Sequence, residues 1–317
     1  MHLRRTGYRL PPVFAALLTA VLWSISSIAS ARTAIHLGGL RANRSRLPIA
    51  LVMLGAWLLC VGTVPMGSAR WWFMASGAIG LGLGDMALFC AYERLGARLP
   101  ALLTHCLGAP LAALFEWAWL GSTPNAGQAW CGLVILVGVA IALAPGPDVA
   151  GKSSPQVHTP GQRWLGVIFG VLSALGLATS AVLSRQGFQI CSDAGQGRPW
   201  LEAAMLRTVG GVAVTLGFWL LVRLHRKVAV RPDPPHPQWG RAWPWLLLSA
   251  TVVPGLGVAT FSLALSCAPA GAVQAVVALV PVLVIPAAWL INGERPQART
   301  VIGGVIGVGG AIGMALV

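Results

Sequence analysis

Apolar stretches alternate with short polar ones along nearly the whole chain, and the length of the apolar runs decides how they are read. A helix needs about 20 apolar residues to cross the hydrocarbon core of a bilayer. Ten runs meet or approach that length: 12–34, 47–66, 71–94, 99–120, 126–144, 164–188, 200–223, 243–266, 270–292 and 297–316. Two connections are hydrophilic and rich in proline, as exposed linkers are: PGPDVAGKSSPQVHTPGQ at 145–162 and HRKVAVRPDPPHPQWGR at 225–241. The first divides the chain near its midpoint into a five-helix unit over 1–144, a linker over 145–162 and a second five-helix unit over 163–317. Arg4, Arg5 and Arg9 before the first run, with Ala29-Ser30-Ala31 inside it, resemble a cleavable leader. The run is too long for one, and a matching helix recurs later without basic flanks, so it is read as a span.

That recurrence is an internal repeat. Shifted by 153 residues, AVLWSISSIASAR from Ala20 to Arg32 falls on SALGLATSAVLSR from Ser173 to Arg185, pairing Ser27 with Ser180 and Arg32 with Arg185. Shifted by 171 or 172, Pro110 falls on Pro281, Pro124 on Pro296 and Gly138 on Gly310. Five spans per half is an odd number, so the second half inserts upside down relative to the first. The pattern predicts an all-α integral membrane protein of ten transmembrane helices, arranged as two inverted five-helix repeats.

Composition removes the main alternatives. Of 317 residues, 56% are hydrophobic and 9% charged, and mean hydropathy is +0.75, whereas a soluble domain carries roughly a quarter charged residues. Most of the 39 glycines and 9 of the 22 prolines lie within apolar runs, where neighbouring helices re-satisfy the backbone groups they free. The net charge of +14 comes mostly from Arg and Lys placed between the runs or near their ends, without the interleaved aromatics of a nucleic-acid surface, so no nucleic-acid partner is expected. Basic loops are concentrated on the side opposite the termini, which argues for termini outside, while Arg4, Arg5 and Arg9 pull the N-terminus inward. Six single cysteines form neither a disulfide framework nor a metal motif. Metal and cofactor are both expected to be absent.

The segment ALVPVLVIPAAWLINGERPQARTVIGGVIGVGGAIGMAL (278–316) combines a proline-centred ninth helix, a Gly-Glu turn and a glycine-rich tenth helix. LGAPLAALFEWAWLGSTPNAGQAWCGLVILVGVAIAL (107–143) echoes it, with Ser122-Thr123 where the second half has Gly293-Glu294, and Trp23 stands in the first helix. These features resemble the EamA type of the drug/metabolite transporter superfamily, ten-helix proteins with two tandem repeats. The resemblance implies a central cavity lined by helices one, three, four, six, eight and nine. It also implies a secondary transporter in the inner (plasma) membrane, exporting small metabolites or drugs by alternating access, with proton coupling or exchange as the drive. Its partners would be a small-molecule substrate and the lipid bilayer, and the working unit a monomer or homodimer. Two other classes stand against this: an intramembrane enzyme, for which no HExxH, paired histidines or glycine-flanked serine is present, and a non-transporting structural subunit. A P-loop for ATP is also missing.

An ionisable group inside a span costs about 2.5–3.5 kcal/mol on insertion scales, so each one marks a candidate. Asp85 lies in the third helix beside Gly80 and Gly84, opposite Leu256 in the repeat, and is either a site for solute, cation or proton or an acid bonded to a neighbouring helix. His105 and Glu116 share a face of the fourth helix about 16 Å apart, with Gly108 and Ala112 between them and apolar Val276 and Ala287 opposite. Glu116 reads as interfacial. Arg207 matches Arg46 in the other half, and a charge common to both halves reads as an anchor at the membrane interface; pointing inward, it would pair with a substrate carboxylate. Thr19, Trp23, Ser26, Ser27 and Ser30, like Ser173, Ser180 and Ser184, form hydroxyl-bearing stripes that face either a wet cavity or a neighbouring helix. Gln274 is a candidate ligand for a substrate amide or carboxylate. Pro110 and Pro281 each remove a mid-span hydrogen bond and are candidate gates, and Gly303, Gly307, Gly309 and Gly313 suit close packing.

Overall fold

The computed structural model describes residues 12–63, 66–121, 125–143, 160–224, 237–284 and 298–316. They form ten helices: α1 Pro12–Leu37, α2 Gly39–Val61, α3 Ala69–Leu95, α4 Arg98–Leu120, α5 Ala126–Leu143, α6 Pro160–Asp193, α7 Trp200–Leu224, α8 Trp239–Cys267, α9 Ala270–Val284 and α10 Ala298–Leu316. Seven are long and apolar enough to cross a bilayer, and α5, α9 and α10 are shorter apolar helices. No strand occurs among the described residues. Arg4, Arg5, Arg9, Ser122-Thr123, Pro124, Gly293-Glu294, Pro296 and most of both hydrophilic linkers lie outside them.

The boundary between the first two helices differs from expectation in a way that matters for the site. Helix α2 begins at Gly39 and not near residue 47, because Gly38 takes φ 84°, turning the chain in a single residue. Arg41, Arg44 and Arg46 therefore ride on a helix instead of sitting in a loop.

Packing follows the repeat. Helices α2 and α7, α4 and α9, and α5 and α10 pair with their own counterparts across the two halves. The first helix of each half packs on the third helix of the other, α1 on α8 and α6 on α3. This exchange is what an inverted repeat about a two-fold axis in the membrane plane produces.

Both third helices widen into a π-helical segment at the same place, AIGLGLG at Ala78–Gly84 and TVVPGLG at Thr251–Gly257. Such turns tend to mark functional positions within helices. The shared Gly-Leu-Gly sets the register of the repeats here and puts Val258, not Leu256, opposite Asp85. The crossings beside these segments are asymmetric. A Cβ on Gly84 would press on the backbone of Gly176 in α6, while one on Gly257 would press on the indole of Trp23 in α1. Since Gly176 and Trp23 are repeat mates, one crossing is backbone to backbone and the other is filled by a ring.

Glycine also lets α3 touch α7. A Cβ on Gly77 would overlap the backbone of Arg207, and one on Gly210 would overlap the Met74 carbonyl. In the α5–α10 contact Gly138 meets Gly303 and Gly307, and Gly313 faces the Cys131 sulfur, but Gly309 faces open space and takes no part in packing. Pro110 lies inside an unbroken α4. The ladder of α9 is interrupted at Ala278–Leu279, just ahead of Pro281, where Leu279 N–H donates to Val276 O over a three-residue step.

Gly77→Val is expected to prevent assembly of a monodisperse protein on detergent size exclusion, since a branched side chain would have to displace main chain. Gly217→Ala, where nothing lies within 4 Å, should elute like the parent.

Candidate functional site

Between the two halves lies a cavity with about 50 Å³ of free space, walled by helices from both. From the first half come Trp23 and Ser27 of α1, Arg46 of α2, Asp85 of α3 and His105 of α4; from the second come Ser173 and Ser180 of α6, Arg207 of α7 and Val253 of α8. Thus Trp23, Ser27, Asp85, His105, Ser180 and Arg207 meet at one place, though they span nearly two hundred positions of sequence. Helices α2 and α7 supply the two arginines, and α9 contributes no lining residue, which departs from the expected set of walls. A larger cleft of about 770 Å³ opens between α3 and α6, but it is mainly apolar, and the Glu93 and Arg94 on its rim pair with each other at 3.9 Å.

Arg46 and Arg207 are 2% and 1% exposed, so neither is an interfacial anchor. The early start of α2 and the glycine contacts of α7 draw both arginines into the bundle. Arg46 forms an ion pair through Nη2 with Asp85 Oδ2, donates from Nε to Asn43 Oδ1 at 3.1 Å and lies over the Phe89 ring at 4.4 Å. Asn43 is held in turn by donating to the Leu81 carbonyl at 3.3 Å. Arg207 has a different set of partners. It donates from Nη1 to Ser262 Oγ at 3.1 Å and from Nη2 to Ser180 Oγ at 3.2 Å, with its Cζ 5.1 Å from the Phe261 ring centroid. Ser180 is linked through Ser76 to Ser184, at 2.9 and 2.7 Å.

Aromatic rings pack around these polar groups. Trp23 packs against His105 at 5.4 Å and Phe261 at 5.0 Å, and Tyr92 donates to Ser27 Oγ at 3.2 Å. Trp23 Nε1, Thr104 Oγ1, His105 Nδ1 and Arg207 Nε are all buried without a hydrogen-bond partner. Buried polar groups of this kind are costly until something that enters the cavity, water included, satisfies them.

A model of the EamA-like transporter family matches residues 10–144 and again 164–316. The chain belongs to that family. No curated protein matches it. A solved structure described only as a crystal structure of a protein aligns over 96% of each chain with a TM-score of 0.66 and 18% identity, and so shares the fold.

Among the other sequence candidates of this EamA-like protein, Ser26, Ser30 and Ser173 also line the cavity, while Thr19, Glu116 and Gln274 lie outside it. Glu116 is buried within the bundle near a helix end: it is 8% exposed, and its two carboxylate oxygens accept from the Ala270 and Gly271 N–H groups, each at 3.3 Å. These are free donors at the positive N-terminal end of α9, which explains why a carboxylate is held there. Gln274 sits one layer behind the wall, donating from Nε2 to the Leu177 carbonyl at 3.5 Å. Among the hydroxyls, Thr19 donates to Thr260 Oγ1 at 2.8 Å and Ser26 to the Ser249 carbonyl at 3.5 Å, bonds that tie α1 to α8. Arg46, Tyr92, Thr104 and Ser76 were not singled out as site residues by sequence reasoning. Arg46 carried a usable signal, since its repeat mate Arg207 was already a candidate.

Asp85→Ala or Arg46→Ala leaves the partner charge buried alone and is expected to cost about 3–5 kcal/mol, seen as a lower melting temperature in detergent. Arg46→Met combined with Asp85→Leu should recover most of that loss. Glu116→Gln should cost about 1–2 kcal/mol through the weakened cap of α9, measured by the same melting experiment.

Proposed function

We propose that this chain is a secondary transporter of the inner (plasma) membrane that exports small metabolites or drugs by alternating access. Membership in a transporter family supports transport as such. One observation carries the rest: the cavity takes its polar groups from both inverted halves. Any rocking of the 1–144 unit against the 163–317 unit therefore opens one rim of the cavity and closes the other. The site has the chemistry of recognition, with guanidinium, hydroxyl and indole donors held in place and no nucleophile paired with a base, which favours a carrier over an intramembrane enzyme. Its partners in this reading are a small-molecule substrate and the surrounding lipid, and it works as a monomer or homodimer.

Coupling is assigned to Asp85 and His105. A proton on Asp85 would neutralise the counter-charge of Arg46 and loosen the α2–α3 contact, linking protonation to movement of the first half. In everted vesicles under an imposed pH gradient, Asp85→Asn is expected to slow solute-dependent proton flux at least tenfold, normalised to folded protein. If Asp85→Asn combined with His105→Ala leaves that flux unchanged, protons are not the driving ion and exchange is the coupling mode.

A further inference from the structure

We infer that the cavity recognises an organic monoanion, a carboxylate on an uncharged apolar body, and that Arg207 is the residue that binds it. The inference rests on the transporter reading above and adds the class of substrate.

Two guanidiniums and one carboxylate line the cavity, and no other carboxylate lines it among the described residues. Asp85 is taken by Arg46. Arg207 lies within electrostatic reach of the same carboxylate but has no ion pair of its own among the described residues, and its hydrogen-bond partners there are the serines at positions 180 and 262. A cation in the bilayer interior without a counter-ion is costly, and proteins keep one there when something binds to it.

The repeat shows what is missing. Arg46 and Arg207 are related by the internal symmetry, and the acid that pairs with Arg46 follows the π segment of α3. At the matching place after the π segment of α8 stands Val258, fully buried. One half supplies its own counter-ion. The other leaves it to the solute.

Arg207 is equipped for that role. Each Nη donates to a serine, and Nε is buried with no hydrogen-bond partner, so one donor of the guanidinium is left unmet. The edge formed by Nε and one Nη is the fork that receives a carboxylate in two parallel hydrogen bonds. Free space of about 50 Å³ holds about three to five waters, the bulk of a carboxylate with a short stem. Leu88, Phe89, Leu177 and Val253 on the walls suit an apolar body. A single excess positive charge matches a monoanion better than a dianion.

The test uses full-length protein in proteoliposomes loaded with benzoate, phenylacetate and butyrate together with their amides, their release followed by mass spectrometry. The acids are expected to leave at least tenfold faster than the amides, relative to protein-free vesicles. Arg207→Gln should bring that ratio to about one, and Arg207→Lys should keep part of it. Release of amides without acids, or a preference unchanged in Arg207→Gln, overturns the monoanion assignment and leaves the transporter reading standing. Release of neither counts against transport, and melting in detergent then decides the binding site alone. Benzoate should raise the melting temperature where benzamide does not, and Val258→Asp, which supplies the missing counter-ion from within, should abolish that rise. No benzoate-specific rise in the parent protein overturns the proposal, and where Val258→Asp does not fold, loss of the rise in Arg207→Gln supports it and its persistence overturns it.

Discussion

In a hydrocarbon medium a guanidinium must be met by hydrogen bonds and opposite charge, and this requirement organises the centre of the protein. Arg46 and Arg207 enter the bundle at symmetry-related places, each on the second helix of its half, and each is held by several groups at once. Asp85, Asn43 and Phe89 hold the first, and Ser180, Ser262 and Phe261 the second. Without these partners neither helix could bring its arginine between the halves, and the cavity would be an apolar seam that lipid-facing side chains closed.

The backbone contacts supply the precision that the charges need. Gly77 and Gly210 let α3 and α7 meet main chain to main chain at the residue that carries the second guanidinium. That contact fixes where Arg207 stands relative to Asp85 and Ser180. On the other side Trp23 lies on Gly257, so a ring occupies the place where its repeat mate, Gly176, admits a neighbouring backbone. The two halves thus share a scaffold while differing in what fills it, which is how a symmetric fold acquires an asymmetric site.

Much of the architecture was legible from residue patterns because lipid imposes a strong rule: a spanning segment satisfies its own backbone and shows lipid an apolar surface. The ten helices and the pairing of Ser27 with Ser180 follow from that rule and from the repeat. The register around Asp85 was less legible, since a π segment inserts a wider turn that constant spacing does not anticipate. Arg46 was misplaced for a similar local reason: a one-residue turn at Gly38 started α2 early and carried a supposed loop arginine into the bundle. The role of Glu116 was not legible because its partners are backbone N–H groups at the start of another helix, and sequence cannot show which helix end comes to lie beside it.

The amino-acid sequence alone determined the medium, the number and approximate limits of the spans, the inverted repetition and most of the polar groups available for a site. These depend on short-range properties, namely hydropathy over some twenty residues and similarity between segments. The tertiary structure alone decided which charges neutralise one another, which arginine pairs with hydroxyls and a ring instead of a carboxylate among the described residues, and that Glu116 holds a helix end instead of facing the cavity. Those outcomes depend on helix rotation and on contacts between residues far apart in sequence, where a change of a single turn exchanges one neighbour for another.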